Sequence, residues 1–250
     1  MSKVKLLNTQ VDNLSMDEAV IAIEALINNG KFNYVVTPNV DHIVKLEEDD
    51  EFKKVYEEAN LVLTDGMPLI WISKMLKTPI KEKVSGSDIF PKICEMAAQR
   101  GYKIFLLGAA EGIANKAAEN LRKKYPGLNI VGTYSPSYGF ENKPEEIIKI
   151  IRVINESQPH ILAVGLGAPK QEKFIYKFKN QLKVPVSLAI GASIDFEAGN
   201  VKRAPEWMQK SGLEWFYRFV KEPRRMYKRY FKDDLKIFKL YLKYNKSSKK

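Results

Sequence analysis

Two patterns of apolar positions alternate along residues 15–200. Short runs that are apolar at consecutive positions are followed by longer stretches in which apolar residues recur every three or four positions. The first pattern is typical of strands buried on both faces of a parallel sheet, and the second of amphipathic helices. The runs that predict strands are FNYVVT (32–37), NLVLT (60–64), KIFLLG (103–108), LNIVGTY (128–134), HILAVGLG (160–167) and VSLAIG (186–191).

Local signals indicate where the predicted helices begin and end. Ser15 and Glu18 form a capping box that opens the first helix, and Gly30 closes it. Pro68 is placed in the first turn of another helix, where proline is favoured. Further helices are predicted over 87–100, 112–124 and 144–157 and from Pro169 onward. This alternation predicts an α/β fold, with a mostly parallel, Rossmann-like sheet that carries helices on both faces.

The pattern changes after residue 200, where aromatic and basic residues interleave. A short helix is predicted around Met208, Trp215 and Phe219, ending near Pro223. Beyond it, two neighbouring stripes on a helical wheel predict one amphipathic basic helix. The apolar stripe holds Tyr227, Phe231, Leu235, Phe238 and Leu242, and the basic stripe holds Arg225, Lys228, Lys232, Lys236, Lys239 and Lys243. We therefore expect residues 201–250 to form a C-terminal amphipathic helical appendage.

The net charge of +11 lies entirely in this appendage. Residues 201–250 hold 16 Lys and Arg against 5 Asp and Glu, whereas residues 1–200 hold 25 of each sign. The appendage also holds 11 of the 27 aromatic residues, which distinguishes it from a disordered basic tail. A segment that is both aromatic and basic suits an anionic membrane surface, so we expect peripheral attachment to a membrane.

Other features of the composition narrow the class of protein. No run of about 18 apolar residues is present, and MSKVKLLNTQVDNL lacks the apolar segment of a signal peptide. We therefore expect a cytoplasmic protein that lies on a membrane. Cys94, the only cysteine, is expected to be a buried structural thiol. His42 and His160 are the only histidines, and neither H-E-x-x-H nor Asp-x-Asp occurs, so we predict chemistry without a metal or cofactor.

Polar and glycine residues follow the predicted strands. Because ligands of parallel sheets bind beyond the carboxyl ends of the strands, these residues are the candidates for substrate binding. They are Thr37, Asn39, Asp65, Gly108, Gly167, Lys170, Gln171 and Asp195. Asp65 is the candidate general base, since it follows a strand and precedes a glycine that leaves room for a substrate. Helix capping by Asp65 and turn formation by Thr37 and Asn39 are the structural alternatives.

The turn GLGAPKQEK, residues 165–173, combines two glycines and a proline where a strand meets a helix. Backbone N–H groups and the positive end of the helix dipole can hold a phosphate at such a turn, and Lys170 adds a positive charge. A tight turn without a ligand is equally compatible with this pattern. Lys170 stands where the third glycine of G-x-G-x-x-G would be, and no Walker sequence occurs.

Six motifs occur in order across most of the chain: TPNVDHIV, LVLTDGMPLIW, VSGSDIF, IFLLGAAEGIANKAAENL, GLGAPKQEKFI and GASIDFEAGNVKRAPEWMQKSGLEWFYRFVKEPRR. Together they resemble the WecG/TagA/CpsF glycosyltransferase family from Asn8 to Tyr230. The resemblance implies an inverting, metal-independent enzyme. Such an enzyme moves an N-acetylmannosamine-type sugar from UDP to N-acetylglucosamine on a polyprenyl diphosphate at the cytoplasmic membrane face. In the TagA branch the product is the β-1,4-linked disaccharide lipid that begins the wall teichoic acid linkage unit.

The resemblance also implies roles for individual residues. It makes Asp65 the catalytic base, and it makes Thr37, Asn39 and Gln171 polar contacts to the sugars. Lys83 stands before VSGSD where arginine is usual in the family, so it keeps the charge but loses the bidentate geometry. The appendage is implied to fold over the site and to contribute Arg218, Arg224 and Arg225. The domains would then be an α/β catalytic domain, 1–200, and a membrane-associating appendage, 201–250, that completes the active site.

Several alternatives stay open from the sequence. The donor could be UDP-N-acetylmannosamine, which we favour, its uronic acid, or another UDP-hexose. A nucleic-acid-binding protein would explain the basic, aromatic appendage but not the polar strand ends, and we expect no nucleic-acid partner. A nicotinamide-dependent oxidoreductase would explain the α/β core, but its glycine fingerprint is missing. Homo-oligomer formation is also left open.

Overall fold

The computed structural model describes residues 2–228 and 234–247, which form a two-stranded hairpin and a six-stranded parallel sheet with flanking helices. The hairpin strands are β1 (Lys3–Leu6) and β2 (Thr9–Asp12). The sheet strands are β3 (Asn33–Val36), β4 (Leu61–Val62), β5 (Lys103–Gly108), β6 (Asn129–Tyr134), β7 (Ile161–Gly165) and β8 (Val186–Ala189). Their order is β4-β3-β8-β7-β5-β6, and neighbouring strands are parallel. The predicted α/β class is confirmed.

The helices follow the predicted alternation. Those of the α/β domain are α1 (Met16–Ile27), α2 (Val40–Lys45), α3 (Asp50–Glu57), α4 (Met67–Met75), α5 (Gly86–Arg100), α6 (Ile113–Lys124), α7 (Pro144–Ser157), α8 (Lys170–Lys177) and α9 (Ser193–Glu197). The appendage contains α10 (Glu206–Lys210), α11 (Glu214–Lys221), α12 (Pro223–Lys228) and α13 (Lys236–Ser247). The capping box predicted for α1 is confirmed, because Ser15 and Glu18 each accept the other's backbone N–H.

Two hydrophobic cores cover the two faces of the sheet. Alternate residues of β5 point to opposite faces, so Ile104 and Leu106 belong to one core and Phe105 and Leu107 to the other. The first core is covered by α1, α5 and α6, and the second by α2, α3, α7 and α8. Both faces are removed from water, which explains why the strands are apolar at consecutive positions.

The hairpin β1–β2 is an element that the sequence pattern did not predict. It lies beside the edge strand β4, where the Asp12 carboxylate accepts a hydrogen bond from the Val62 N–H at 2.9 Å. Leu6 and Val11 are buried in the core. The two strands have four residues each, and Leu7 rather than a glycine adopts the left-handed backbone conformation between them. The sequence therefore lacks the usual signals of a hairpin.

The C-terminal helix α13 packs on the α/β domain through a face that the sequence analysis missed. Ile237 and Leu240 are buried in the same core as Ile43 of α2. The members of the predicted apolar stripe on and next to this helix, Leu235, Phe238 and Leu242, are exposed instead. The single helix predicted across residues 225–243 cannot be followed throughout, since Phe231 and Lys232 lie outside the described residues. The described parts belong to two helices, α12 and α13.

Two lysines of the predicted basic stripe are paired with acidic residues that precede α3. Lys236 Nζ lies 2.8 Å from Glu48 Oε1, and Lys243 pairs with Glu47, which also accepts from the Tyr244 hydroxyl at 3.0 Å. Burial raises the pKa of Glu47, but the hydrogen bonds from Lys243 and Tyr244, among others, outweigh burial and hold that pKa below its ordinary value. The acidic stretch EEDDE, residues 47–51, thus contributes two residues to the surface that holds α13.

Candidate active site

The carboxyl ends of the strands bring together residues that are far apart in the sequence. The Asp65 N–H donates to the Pro38 carbonyl at 2.9 Å, which joins the ends of β4 and β3. The Thr37 hydroxyl lies 3.5 Å from the last carbonyl of β8. The Gly191 N–H, just beyond β8, donates to Gln171 Oε1 at 3.1 Å. Three candidates chosen from separate strand ends therefore meet at one edge of the sheet, where parallel sheets bind ligands.

Glycines line the next part of this edge because the strand ends approach each other closely. A Cβ on Gly108 would lie 2.3 Å from the Gly165 carbonyl oxygen, and Gly108 has φ 129°. A Cβ on Gly165 would lie 2.7 Å from the Gly191 carbonyl oxygen. Gly167, in the following turn, has φ 76°. Gly108 therefore serves the close approach of β5 to β7, and its contact with a substrate stays a prediction.

Asp65 stands at the end of β4 and is not the cap of the helix that follows. Gly66 is the N-cap residue of α4, with φ 99°, and no side chain makes a capping hydrogen bond there. The capping alternative is therefore wrong for Asp65. Asp65 also contributes to the electrostatics of this region: burial and the charges of Glu172 and Asp65 raise the pKa of Tyr56 well above its ordinary value. The role of Asp65 as general base stays a prediction.

Thr37 and Asn39 shape the loop between β3 and α2. Asn39 is the N-cap residue of α2, and its Oδ1 accepts a hydrogen bond from the His42 N–H at 3.2 Å. Thr37 is buried at the end of the strand. Asn39 therefore has a structural role, but as the N-cap of α2 rather than in the turn that was the alternative from sequence. Contact of either residue with a sugar stays a prediction.

Buried polar side chains lie on α2, α3 and α8. His42 Nδ1 and the Tyr56 hydroxyl are 2.8 Å apart, and Gln171 Nε2 donates to Glu172 Oε1 at 2.7 Å. Glu172 is completely buried, and burial raises its pKa to about 7, although the hydrogen bond from Gln171 acts in the opposite direction. The sequence analysis singled out Gln171 but not Glu172. A glutamate in a helical pattern gives no local sign of burial, and the only available signal was its place in GLGAPKQEKFI.

A cluster of charges joins the start of α5 to the appendage. Lys83 Nζ lies 2.7 Å from Asp88 Oδ2, and Arg203 pairs with the other oxygen of this carboxylate. Arg203 also donates to the Ser87 carbonyl at 3.2 Å and lies 3.9 Å from Glu214 at the start of α11. Burial raises the pKa of Asp88, but Lys83 and then Arg203 outweigh it and hold that pKa below its ordinary value.

The candidate Lys83 belongs to this cluster. Its ammonium group contacts a carboxylate of the protein, so its predicted contact with phosphate or acceptor stays a prediction. Asp88 and Arg203 were missed, although both stand in motifs that carried the family resemblance. Neither follows a strand, and the selection of candidates relied on strand ends.

Lys170 and Asp195 both make contacts within the protein. Lys170 Nζ lies 2.7 Å from Glu141 Oε1 and 5.6 Å from the centre of the Phe140 ring. Asp195 Oδ1 accepts a hydrogen bond from Asn200 Nδ2 at 3.2 Å. The positive charge of Lys170 is therefore partly neutralised, which weakens the hypothesis that this turn binds a phosphate. Substrate contacts of both residues stay predictions.

The turn between α10 and α11 lies against the helix that follows Asp65. A Cβ on Gly212 would lie 2.9 Å from the Met67 side chain and 3.3 Å from Trp71. Among the candidate arginines, Arg224 is exposed on α12. Arg218 belongs to α11 and Arg225 to α12, but their side chains are outside what the structure describes.

The remaining titratable candidates have structural roles. His160 Nδ1 accepts a hydrogen bond from the Lys103 N–H at 2.9 Å, which joins the starts of β7 and β5. Cys94 is buried, as predicted, and burial raises the pKa of its thiol. Within residues 2–228 and 234–247, no group of three His, Cys, Asp or Glu side chains could hold a metal ion. The predicted independence from metals remains to be tested by chelation.

Fold and site together define an α/β enzyme whose polar site lies at the carboxyl edge of a parallel sheet, beside a basic appendage. Sequence comparison then establishes the family. The Glycosyl transferase WecG/TagA/CpsF family matches residues 4–250, and the chain belongs to it. The resemblance noted in the sequence motifs is thereby confirmed, and the protein is a glycosyltransferase.

Three relatives named N-acetylglucosaminyldiphosphoundecaprenol N-acetyl-beta-D-mannosaminyltransferase are similar over most of the chain. The Bacillus spizizenii protein is 30% identical over 199 residues, which are 80% of this chain and 75% of the relative. The Bacillus subtilis protein is 32% identical over 177 residues, or 71% of this chain and 67% of the relative. The Staphylococcus aureus protein is 27% identical over 228 residues, or 90% and 87% of the two chains.

Proposed function

We propose that this protein transfers N-acetylmannosamine from UDP-N-acetylmannosamine to the 4-hydroxyl of N-acetylglucosamine on undecaprenyl diphosphate. The product is the ManNAc-β-1,4-GlcNAc lipid of the wall teichoic acid linkage unit. The names of the relatives support the sugar and the lipid acceptor. The structural observation that carries the proposal is the placement of Asp65. Its backbone is bonded to Pro38 at the sheet edge, and its side chain does not serve as the cap of α4.

The proposed reaction is a single displacement with inversion at the anomeric carbon. The acceptor O4 attacks C1 of the donor sugar, and the bond from C1 to the β-phosphate oxygen breaks. UDP leaves with the bonding electron pair. The ionised carboxylate of Asp65 takes the proton of the acceptor hydroxyl, which makes that oxygen a better nucleophile. One displacement converts an α-linked donor into a β-linked product.

Positive charge has to stabilise the departing UDP, and we assign this role to the protein. Arg218, Arg224 and Arg225 of the appendage carry guanidinium groups, whose fork geometry fits phosphate oxygens. The start of α8, after the Gly167 turn, adds the partial positive charge of a helix N-terminus. Because these groups are fixed charges of the chain, the reaction is expected to proceed in the presence of EDTA.

Exposed apolar side chains near Asp65 support peripheral attachment to the cytoplasmic face of the membrane. Trp71 and Met75 are exposed on α4, which begins two residues after Asp65. Gly212 places the appendage against the first turns of this helix. Further exposed residues of the appendage are Trp207, Leu213, Trp215, Phe216, Val220 and Tyr227. Aromatic and basic residues together favour the interface of an anionic bilayer.

The proposed attachment is to the surface of the bilayer. Among the helices of residues 2–228 and 234–247, none has the length and apolar character needed to cross a membrane. We propose that the appendage acts as both tether and lid: docking on the bilayer that holds the acceptor brings its arginines to the diphosphate of the donor. Activity would then depend on a membrane or on a lipid-like acceptor.

The proposal is tested by incubating the purified protein with UDP-N-acetylmannosamine and a short-chain polyprenyl diphosphate-GlcNAc acceptor, with EDTA present. The expected product is one β-1,4-linked disaccharide lipid, identified by mass spectrometry and NMR. Parallel reactions with the uronic acid donor and with other UDP-hexoses test the alternative donors. Transfer only from another UDP-sugar would replace the proposed donor, and loss of transfer on chelation would contradict the metal-independent mechanism.

A further inference from the structure

Gln171 is held by protein partners at both ends of its carboxamide. Its Oε1 accepts a hydrogen bond from the Gly191 N–H at 3.1 Å, and its Nε2 donates to Glu172 Oε1 at 2.7 Å. An amide side chain has one accepting end and one donating end, so this pair of partners sets which end faces which way. One N–H of Nε2 then remains for another acceptor.

Glu172 at this position lowers the stability of the folded protein. Its side chain is completely buried, and its Oε2 has no hydrogen-bond partner among the described residues. A buried polar atom without a partner destabilises the folded state, which is why such atoms are uncommon in folded proteins. An apolar side chain would avoid this unfavourable contribution. Among the described residues, Gln171 is the side chain that donates a hydrogen bond to this carboxyl group, and the backbone N–H of Glu172 itself also acts on it.

We infer that Glu172 is a positioning residue, which orients the Gln171 carboxamide so that its oxygen holds Gly191 and its second N–H is presented to the substrate. This inference rests on the proposed transferase function. The substrate group would be a hydrogen-bond acceptor, such as a phosphate or carbonyl oxygen of the UDP-sugar. Without Glu172 the carboxamide can rotate, and it can then present an acceptor where a donor is required.

The contact works in either protonation state of Glu172, because a carboxyl oxygen accepts a hydrogen bond whether or not the group is ionised. The charged and titratable groups that act on it are Lys45 and Asp41 from α2, and Tyr56 from α3. A neutral glutamine at position 172 also offers an accepting oxygen. The proposal therefore predicts that glutamine can replace Glu172 and leucine cannot.

The test compares E172Q, E172L and S187A in the full chain. Ser187 is a matched control, since it is also completely buried and its hydroxyl also has no partner among the described residues, but it lies within β8. Hydrogen exchange of the Gly191 amide is measured first. We expect at least about tenfold faster exchange in E172L, equivalent to the loss of one hydrogen bond, and wild-type exchange in E172Q and S187A.

Transfer kinetics provide the second readout. We expect kcat/KM for the UDP-sugar to fall about a hundredfold in E172L, as for a misplaced contact group, and to stay within about threefold of wild type in E172Q. Q171N, with a side chain too short to reach both partners, tests the same link if E172L is too unstable. Wild-type exchange and kinetics in E172L or Q171N would overturn the proposal, as would an E172Q variant as impaired as E172L.

The two readouts separate this inference from the proposed function. If the wild-type protein transfers no sugar while the Gly191 amide responds to the variants as expected, the proposed function fails and the orienting contact stands. If transfer occurs but Gly191 exchange is the same in wild type and E172L, the orienting contact fails and the proposed function stands.

Discussion

The strand-end site and the appendage are held together by different kinds of contact. At the strand ends, backbone groups bond to each other or to buried side chains, as in the contact of Gly191 with Gln171. The appendage is attached by a few buried side chains, such as Ile237, and by partly exposed ion pairs such as Lys236 with Glu48. Exposed ion pairs contribute about 0 to 1 kcal/mol each. We therefore expect the strand-end region to be rigid, and we propose that the appendage is a cover that can be displaced.

The largest effect is expected from Asp65→Asn, which removes the proposed base from the rigid region. General base catalysis contributes roughly 10² to 10⁴ in rate, so we expect kcat to fall about a thousandfold. Because Asp65 is not the cap of α4, the substitution should leave the start of that helix unchanged. Asp17→Asn on the exposed surface of α1 is the control. A D65N variant with more than a tenth of wild-type kcat would exclude Asp65 as the base.

A second effect follows from the raised pKa of Glu172, about 7 when folded against an ordinary value of 4.5. Between these values the folded state binds the proton more tightly, so this residue lowers stability as pH rises from 4.5 to 7. The unfavourable contribution is complete above the folded pKa. Glu172→Gln abolishes this pH dependence. We expect the free energy of unfolding of E172Q, relative to that of wild type, to increase by roughly 3 kcal/mol between pH 4.5 and pH 8.

Urea unfolding of wild type and E172Q at several pH values measures this difference. The S187A variant serves as control, because it removes a buried polar group that does not titrate. A stability difference between E172Q and wild type that is constant from pH 4.5 to pH 8 would show that Glu172 stays ionised in the folded protein.

A smaller effect on rate is expected from Arg224→Ala in the appendage. Arg224 is exposed on α12, and we propose that its contact with the donor diphosphate forms when the appendage closes. We expect kcat to fall about tenfold, as for one charge-assisted hydrogen bond. Arg224→Lys should recover only part of the rate, because lysine lacks the bidentate geometry. Lys239→Ala removes one exposed charge from α13 and is the control; equal effects of R224A and K239A would favour a general effect of charge.

The smallest effect is expected at the contact between α13 and the acidic stretch. Glu47 has a lowered pKa in the folded protein, so its favourable contribution is present above its ordinary pKa and is lost as pH falls. Glu47→Gln should lower the free energy of unfolding by about 1 kcal/mol or less at pH 7, and by less as the pH falls through the folded pKa of Glu47. Urea unfolding with and without high salt tests this. A loss of several kcal/mol would show that the appendage is part of the rigid region.

The fold was largely predictable because its signals are local. The run KIFLLG predicted β5 at 103–108, where the structure has Lys103–Gly108, since a strand buried on both faces is apolar throughout. The capping box of Ser15 and Glu18 was predictable for the same reason, because its two residues are close in sequence. The order of the strands was not, because β3 pairs with β8, and Asn33 aligns with Val186 far along the chain. No local sequence pattern indicates that β3 pairs with β8.

The candidate site was predictable to the extent that strand ends define it. Asp65 and Gln171 were found in this way, and they lie at the same edge of the sheet. Glu172 and Arg203 were missed because their importance depends on burial and on distant partners. Lys170 was chosen for its charge at a strand end, and the sequence did not indicate that this charge is paired with Glu141. Side chains that reach across the fold cannot be assigned partners from spacing alone.

The close approach of Gly108 to Gly165 limits how this scaffold can diversify. A methyl group at either position would overlap a carbonyl oxygen of the neighbouring segment, so neither position can carry a side chain that distinguishes one sugar from another. Preference for a different donor must therefore be acquired in the surrounding loops and helices. Engineering toward a new sugar should begin at the segment from Thr37 to Asn39 and at the appendage, and should leave Gly108 and Gly165 unchanged.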